Sequence, residues 1–249
     1  MKTSNKILII AALVLIAWLV IYDNALKAEY VKGDFKKPHY HMQQLSFSNF
    51  NTIEHNAGNI IGLQVEKGPY GVWVDDYIKD KINISQNGQT LVITNTSKEN
   101  VNDYRGIIIS CPDVISITSN PFINPKKATG DRYLRQNGNS MIIEYFQHET
   151  ILVTGFNQPV MNLQANQFTE FELKKNTLGQ LNAKVGDKQR GQAGLTIDAD
   201  NNISTADLQV PGKSTLTLDN VTINKVTYKV TDSAEVTLTG KAVHLLDHQ

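Results

Sequence analysis

Residues 208–243 have the sequence LQVPGKSTLTLDNVTINKVTYKVTDSAEVTLTGKAV, and their apolar positions recur at a spacing of twenty residues. Each repeat contributes five apolar residues, at offsets of 0, 2, 8, 10 and 15. The two sets in this stretch are Leu208, Val210, Leu216, Leu218 and Ile223, followed by Tyr228, Val230, Val236, Leu238 and Val243. Two apolar residues on one short strand, a turn and two more on the next strand make a unit that repeats along the chain.

The same pattern extends toward the N-terminus. One further set has the same five offsets: Leu163, Ala165, Phe171, Leu173 and Leu178. A longer set follows it: Ala183, Val185, Leu195, Ile197 and Ile203. We attribute the extra length of this set to a loop that includes residues 186–191. Four repeats therefore cover residues 163–243.

A single repeat of this length cannot fold alone. Five buried side chains contribute ~1.5 to 3 kcal/mol each, whereas ordering twenty residues costs ~1 to 2 kcal/mol per residue. Stacking at about 4.8 Å pairs every strand edge and makes the apolar column continuous. The 24 asparagines fit this arrangement, because Asn tolerates left-handed corners and forms ladders between neighbouring repeats. The repeats therefore predict a β-solenoid, and a β-sandwich with accidental spacing is the alternative.

The residues before the repeats alternate with a period of two. From Phe50 onward, short apolar runs are separated by turn residues such as Gly68-Pro69 and Asn87-Gly88. No stretch of a dozen residues between 50 and 249 has the pattern of an amphipathic helix. The runs are Ile61-x-Leu63-x-Val65, Val72-x-Val74, Ile82-x-Ile84, Leu91-x-Ile93, Ile107-x-Ile109-x-Cys111 and Ile115-x-Ile117. We therefore predict an all-β domain over residues 46–249.

An apolar segment near the N-terminus is of a different kind. Residues 7–22 contain no charge, Gly or Pro and follow a short basic tail over residues 1–6. Sixteen helical residues span roughly 24 Å, somewhat less than the ~30 Å hydrocarbon core of a bilayer. Trp18 and Tyr22 suit a membrane interface. We predict a transmembrane or signal-anchor helix that tethers the chain to a membrane, with a cleaved signal peptide as the alternative.

Residues 23–45 are predicted to be a polar linker between this helix and the β domain. The basic tail abuts the apolar run directly and Asp23 ends it, an arrangement that resembles an export signal. The count of basic residues on the two sides is by itself ambiguous. We expect a single-pass cell-membrane protein with its β domain on the periplasmic or extracellular side.

Charge and cysteine content exclude several classes of function. The chain has 24 basic and 24 acidic residues, so its net charge is zero. Nucleic-acid binding needs a clearly basic domain or stripe, and none is present. Cys111 is the only cysteine, which excludes an internal disulfide and any multi-cysteine metal or redox site. Its apolar surroundings in the sequence predict a buried structural thiol.

The N-terminal half of the β domain carries apolar residues and glycines at characteristic spacings. The motifs are Phe50-x-x-Ile53, Ile60-x-x-Leu63-x-Val65-x-x-Gly68, Val72-x-Val74, Ile82-x-Ile84, Gly88-x-x-Leu91-x-Ile93 and Cys111-Pro112-Asp113-Val114-Ile115-Ser116-Ile117. Together with the repeats they resemble the putative auto-transporter adhesin head GIN domain family, over roughly residues 49–243. The Ser-Gly corners typical of that family are missing from residues 118–160.

The resemblance implies a right-handed single-stranded β-helix on a cell-envelope protein, commonly with an N-terminal signal or anchor. It implies no catalytic residue and no cofactor.

Asp198 and Asp200 are candidate site residues. With Thr196 they are expected on one face of a strand, which would place the two carboxylates roughly 7 Å apart. Such a pair suits acid/base chemistry or Ca²⁺ binding, whereas a solvated turn closed by Asp and Asn side chains is the simpler interpretation. A β-helix enzyme acting on polysaccharides would need a basic residue such as Lys184 or Arg190 beside them.

Tyr70 and Trp73 are the other candidate residues. Trp73 alternates with Val72 and Val74, so its indole is exposed if the two valines face the core. Tyr70 is expected beside it, and the pair would form a small aromatic contact surface for a sugar or a protein.

The histidines predict no metal site. They occur as separated pairs, His39 with His41 and His244 with His248, whereas a metal site needs three or four converging ligands. We expect neither a metal nor a cofactor.

These features predict a non-catalytic, membrane-anchored β-solenoid that acts as a binding or scaffolding module of the bacterial cell envelope. Its partner is an unknown protein or glycan. A β-helix polysaccharide lyase or hydrolase is the competing class. Self-association through open strand edges is a third possibility, opposed by Leu245 and Leu246 if they cap the last repeat. The sequence does not determine the oligomeric state.

Overall fold

The computed structural model describes residues 3–33, 36, 38–97, 103–122, 128–129, 132–137, 140–145, 149–187 and 192–246. The chain divides into two compact units, Met1–Met42 and Gln43–Gln249. The first contains a long helix and the second contains the β-sheets.

The helix α1 spans Thr3–Lys32 and none of its residues is buried within the protein. It begins before the predicted apolar segment and continues beyond it. Thirty residues correspond to about 45 Å of helix. Its most apolar stretch has a mean hydropathy of 2.4, so by length and composition the helix is able to cross a membrane.

Nine strands, numbered here in chain order, form one sheet of the second unit, which we call sheet A. In spatial order they are β1 (Met42–Leu45), β4 (Gly71–Asp75), β7 (Asp103–Cys111), β3 (Ile61–Lys67), β12 (Thr150–Thr154), β14 (Glu170–Lys174), β16 (Gly194–Ile197), β18 (Thr215–Asp219) and β20 (Glu235–Thr239). A 3₁₀ helix, Gly240–Leu246, follows β20.

Eight further strands form sheet B. In spatial order they are β19 (Thr222–Val230), β17 (Asn202–Val210), β15 (Thr177–Val185), β13 (Asn157–Ala165), β8 (Ser116–Ser119), β2 (Thr52–Asn56), β6 (Thr90–Asn95) and β5 (Ile82–Asn87). A separate small sheet consists of β11 (Ser140–Tyr145), β10 (Arg132–Asn137) and β9 (Ala128–Thr129).

The twenty-residue spacing of the sequence is the register of parallel pairing in the C-terminal half. In sheet A, Phe171, Leu195, Leu216 and Val236 lie opposite one another on successive strands. In sheet B the aligned residues are Leu163, Ala183, Leu208 and Tyr228. The strand residues of all four sets are therefore aligned as the sequence predicts, whereas Val243, the predicted fifth residue of the last set, is exposed in the 3₁₀ helix. The spacing is not accidental.

The prediction of a right-handed single-stranded β-helix is nevertheless wrong. The strands belong to two large sheets that mix parallel and antiparallel pairs: β4 runs antiparallel to β7, and β5 antiparallel to β6. The β5–β6 connection is a tight turn in which Gly88 has a φ of 61°, and so short a connection joins only antiparallel neighbours. The order of strands is also permuted, because β7 lies between β4 and β3.

The two sheets share one apolar core, as expected for layers that each have one apolar face. Alternate residues of strands such as β12, β14 and β13 are buried. Phe50, Phe156 and Phe171 are among the largest fully buried side chains of the described residues. Cys111 is buried in the same core, which confirms its structural role. Burial raises the pKa of its thiol to about 12.

The corners where the chain leaves sheet A have left-handed backbone. Gly155, Lys175, Asn220 and Gly240 occupy this corner in different repeats, with φ values of 80°, 56°, 48° and 54°. Glycine and asparagine adopt this conformation at low cost, whereas lysine does not. The expectation that asparagine serves at corners is confirmed at Asn220.

Two buried asparagines on neighbouring repeats form a ladder at the ends of sheet A strands: Asn176 follows the Lys175 corner, and Asn201 follows the turn after β16. Asn176 is fully buried and Asn201 is 3% exposed. The Asn201 Oδ1 atom accepts hydrogen bonds from the backbone N–H and from Nδ2 of Asn176, both at 3.0 Å. Asn176 in turn accepts a hydrogen bond from the backbone N–H of Phe156. The predicted asparagine ladder between repeats is therefore present, and it replaces backbone partners that the corners lack.

Candidate ligand-binding groove

Asp198 and Asp200 do not lie along a strand, because β16 ends at Ile197. Both belong to the turn that follows it. The Asp200 Oδ1 atom accepts a hydrogen bond of 2.9 Å from the backbone N–H of Lys175, in the neighbouring repeat. The expected row of Thr196, Asp198 and Asp200 on one strand face is therefore not formed.

Asp198 participates in a surface ion network. Lys174 Nζ lies 3.4 Å from Asp198 Oδ2 and 2.6 Å from Glu172 Oε1. Partial burial raises the pKa of Asp198, and Lys174 opposes that shift. The hydrogen bond from Lys174 to Glu172 raises the pKa of the lysine. The negative charge of Asp198 is therefore paired with the positive charge of Lys174, on the strand next to β16 in sheet A.

The basic residue required by the enzyme hypothesis is not beside these acids. Lys184 lies on β15, in sheet B, where it is an exposed residue between the buried Ala183 and Val185. Asp198 follows a strand of sheet A. Arg190 lies outside the described residues.

Trp73 and Tyr70 have different neighbours. Val72 and Val74 are buried, and Trp73 between them is half-buried. Its ring lies directly over Gly71, where an added Cβ would stand 2.1 Å from the indole. Tyr70 is 36% exposed, and its ring packs edge-on against Phe50 with 5.1 Å between centroids. Each ring is thus partly covered.

The histidine pairs are placed near the two ends of the chain. His39 and His41 both have a φ of 60°, and His244 belongs to the C-terminal 3₁₀ helix. His248 lies outside the described residues. Within the described ranges, no three His, Cys, Asp or Glu side chains are grouped to hold a metal ion.

A polar groove lies on the outer face of sheet B, and none of the candidate pairs indicated it. Two rows of outward side chains run across its parallel strands in register. The first row is Ser116, Asn162, Asn182, Asp207 and Thr227. The second row is Thr118, Gln164, Lys184, Gln209 and Lys229. Parallel pairing places like positions about 4.8 Å apart along each row.

Two adjoining cavities form this polar groove. The first, of about 280 Å³, is lined by both rows from β8 to β17. The second, of about 540 Å³, is lined by Asp187, Pro211, Lys229, Val230 and Thr231. Lys184 and Gln209 line both cavities. The groove therefore continues across sheet B to its β19 edge.

Hydrogen bonds between neighbouring strands orient the amides of the groove. Asn182 Nδ2 donates to Asn162 Oδ1 at 2.9 Å, and Asn162 Nδ2 donates to the carbonyl of Ile115 at 3.0 Å. Gln180 donates to Asn182 Oδ1 at 2.8 Å. An amide nitrogen has two N–H groups, so each of these asparagines retains a donor for a ligand.

Asp207 supplies an acceptor in the same row. Its Oδ1 atom is buried from water and has no hydrogen-bond partner among the described residues. Such an oxygen gains stability from any donor that reaches it, because a buried unpaired acceptor is costly. The groove thus combines amide donors, a carboxylate acceptor and the ammonium groups of Lys184 and Lys229.

The sequence did carry a pattern that indicates this groove. Gln164, Lys184, Gln209 and Lys229 each stand between the first two apolar residues of a repeat. Residues at this position face outward and align across the strands. They are twenty to twenty-five residues apart in the chain, so a search for neighbouring polar clusters does not find them.

Comparisons with known proteins identify the fold. No protein-family model and no curated protein sequence matches the chain. A crystal structure of a putative adhesin from Parabacteroides distasonis has a TM-score of 0.50 at 15% identity, covering 79% of this chain and 71% of that one. A putative adhesin from Bacteroides fragilis gives a TM-score of 0.40 at 14% identity, covering 80% and 96%. A putative lipid binding protein from Parabacteroides distasonis gives 0.28 at 11%, covering 80% and 94%.

At these identities the likeness concerns the fold alone. The first of the three structures shares its fold with 79% of this chain. No family match supports the narrower resemblance to the GIN domain family.

Proposed function

We propose that the β unit is a non-catalytic binding module of the bacterial cell envelope, which α1 anchors to a membrane and which holds an extended glycan in the polar groove. The observation that carries this proposal is the pair of outward rows on sheet B, whose amides, carboxylate and ammonium groups repeat at the strand spacing. The length and composition of α1 support the anchor. Membership of the GIN domain family is part of the same proposal, supported by the sequence motifs.

The chemistry of the groove favours a glycan over a peptide. A peptide that binds a β-sheet adds a strand to a free edge, using main-chain hydrogen bonds. The groove instead lies on a sheet face, where only side chains meet the ligand. Its amides, Asp207 and Lys184 hydrogen-bond with hydroxyl groups, which a glycan presents along its length.

The polysaccharide lyase or hydrolase alternative has little support. It requires Asp198, Asp200 and a basic residue in one groove. Asp200 closes a turn through the backbone of Lys175, and Asp198 is held by Lys174. The sequence offers Lys184 or Arg190 as the basic residue. Of these two, the structure describes Lys184, which faces outward on sheet B.

Glycan binding by the groove is tested with the variants Gln209→Ala and Asp207→Ala. Gln209 lines both cavities and Asp207 carries the unpaired acceptor. We expect each substitution to raise the dissociation constant for a glycan by roughly tenfold, the loss of one or two hydrogen bonds. The full chain, purified in detergent, is first screened against a glycan array, and binding of the strongest ligand is then measured by calorimetry.

The matched control is Gln43→Ala, which removes an exposed glutamine side chain from β1 of sheet A. Its dissociation constant should equal that of the unmodified protein. Absence of any glycan binding, or equal affinity of the groove variants and the control, would show that the groove is not a glycan site.

A further inference from the structure

The C-terminal edge of the β unit has two adjacent strands with a free side. β19 is the last strand of sheet B, and β20 is the last strand of sheet A. Each pairs with the strand of the preceding repeat, β17 or β18. The N–H and C=O groups on the other side of β19 and β20 face away from both sheets, so they are able to pair with another strand.

The inward apolar pattern continues into this last repeat, although the residues there are not fully covered. Val210 and Leu216 are fully buried in the preceding repeat. Val230 and Val236, which align with them, are 41% and 37% exposed. At this edge, residues of the apolar core are therefore partly exposed to solvent.

The C-terminal 3₁₀ helix closes only part of this edge. Its Ala242 is fully buried and Leu245 is 9% exposed, and it contacts β18, β19 and β20. The prediction that Leu245 covers the last repeat is thus confirmed. Val230 and Val236 remain exposed beside it, and a further protein surface is needed to bury them.

The charges of the two edge strands are complementary. The exposed outward residues of β19 include Lys225 and Lys229, whereas Asp232 lies in the turn before β20 and Glu235 is the first residue of β20. None of these four side chains forms an ion pair with another described residue. The edge is thus basic along β19 and acidic in the turn before β20 and at its first residue, so a second copy turned by 180° places acidic groups near the lysines of the first.

We propose that this edge binds a second copy of the same chain, with β19 of each protomer pairing with β20 of the other. Val230 and Val236 are then buried across the two-fold interface. Lys225 and Lys229 face the partner's Asp232 and Glu235, whereas pairing of β19 with its own copy would place lysines against lysines. The surface is self-complementary, as a two-fold dimer requires.

The oligomeric state of the full chain in detergent tests this interface. Sedimentation of the unmodified protein should show a dimer. The double variant Val230→Lys/Val236→Lys should raise the dimer dissociation constant by roughly a hundredfold, since it places charges in an apolar contact. The control Val160→Lys changes a valine of 38% exposure on β13 and should leave the dimer intact.

Cysteine cross-linking tests the pairing itself. The native Cys111 is buried and its raised pKa keeps the thiol unreactive, so an introduced cysteine is the reactive one. Lys229→Cys mixed with Glu235→Cys should give a covalent dimer with a short bis-maleimide, and neither variant alone should do so. A monomeric unmodified protein, a dimer that survives the double valine variant, or cross-linking of Lys229→Cys to itself would each overturn the proposal.

Discussion

Replacement of Asn201 by alanine is expected to lower the free energy of unfolding by about 3–5 kcal/mol, because the change removes four hydrogen bonds from a buried corner. Its Oδ1 atom accepts two hydrogen bonds from Asn176. Its Nδ2 donates to the carbonyls of Leu173 and Asp198, at 2.6 and 2.8 Å. Alanine leaves the backbone N–H of Asn176 and the carbonyl of Leu173 without these partners, in a region that water does not reach.

The adjacent asparagine provides the control. Asn202 is the exposed first residue of β17, and its replacement by alanine should change stability by no more than about 0.5 kcal/mol. Urea unfolding followed by the fluorescence of Trp73 measures both variants. Equal midpoints for Asn201→Ala and Asn202→Ala would mean that the ladder does not stabilise the stacked repeats.

Acidification is expected to destabilise the β unit through His55, by about 3 kcal/mol between neutral pH and pH 4. His55 is fully buried on β2, and burial lowers its pKa from 6.5 to about 4. Its Nε2–H donates to the carbonyl of Ile61 at 2.8 Å, a bond that opposes the shift only in part. Its Nδ1 has no hydrogen-bond partner among the described residues.

The direction of the effect follows from which state binds the proton. The unfolded chain protonates His55 near pH 6.5, whereas the folded protein resists protonation until about pH 4. The stabilising contribution of the neutral ring is therefore complete above pH 6.5. It is lost as the pH falls through the window between these two values, because the unfolded state there binds more protons.

Comparison with His55→Gln isolates this contribution from those of other titrating groups. The glutamine variant lacks the ionisable ring, so its stability should fall less on acidification. Urea unfolding at about pH 7.5 and about pH 4 gives the two differences, and that of the unmodified protein should be larger by about 3 kcal/mol. Identical differences would show that the His55 ring is not protonated on unfolding.

The C-terminal half shows how far apolar spacing determines register. Leu208 and Tyr228 are twenty residues apart and lie opposite one another on β17 and β19, because one repeat places each inward residue on its equivalent in the next. The longer repeat that contains Ala183 also aligns, since its extra residues come between the end of β15 at Val185 and the start of β16 at Gly194. In this region, the spacing of apolar residues along the sequence therefore equals the separation of paired residues on neighbouring strands.

In the N-terminal half, apolar spacing does not determine which strands pair. Alternation along β4 and β5 indicates strands correctly, but it does not specify their neighbours or their direction. A β-strand with one buried face has the same pattern in a parallel and in an antiparallel pair. The antiparallel pairing of β4 with β7 depends on contacts between distant residues, and these contacts have no counterpart in a local pattern.

The groove is not among the candidate sites that the sequence predicts, for a related reason. Asp198 and Asp200 are close in sequence, but the carbonyl of Asp198 accepts a hydrogen bond from Asn201 in its own turn, whereas the Asp200 side chain accepts one from Lys175 in the neighbouring repeat. The groove residues Gln164 and Gln209 belong to different repeats. They line one cavity only because the strands of these repeats align. A site formed between repeats is found by comparing equivalent positions across them, rather than by reading along the chain.

The small sheet of β9, β10 and β11 lies between β8 and β12 in the chain but outside both main ladders, because β8 pairs with β13 and β3 pairs with β12. Neither main ladder includes a strand of this small sheet. The hairpin β10–β11 can therefore be lengthened, shortened or exchanged without moving any paired strand of the two main sheets. Sequence differences between homologous proteins can therefore accumulate in this hairpin while the two main sheets stay unchanged. The same place is suited to grafting a reporter or an epitope onto the protein.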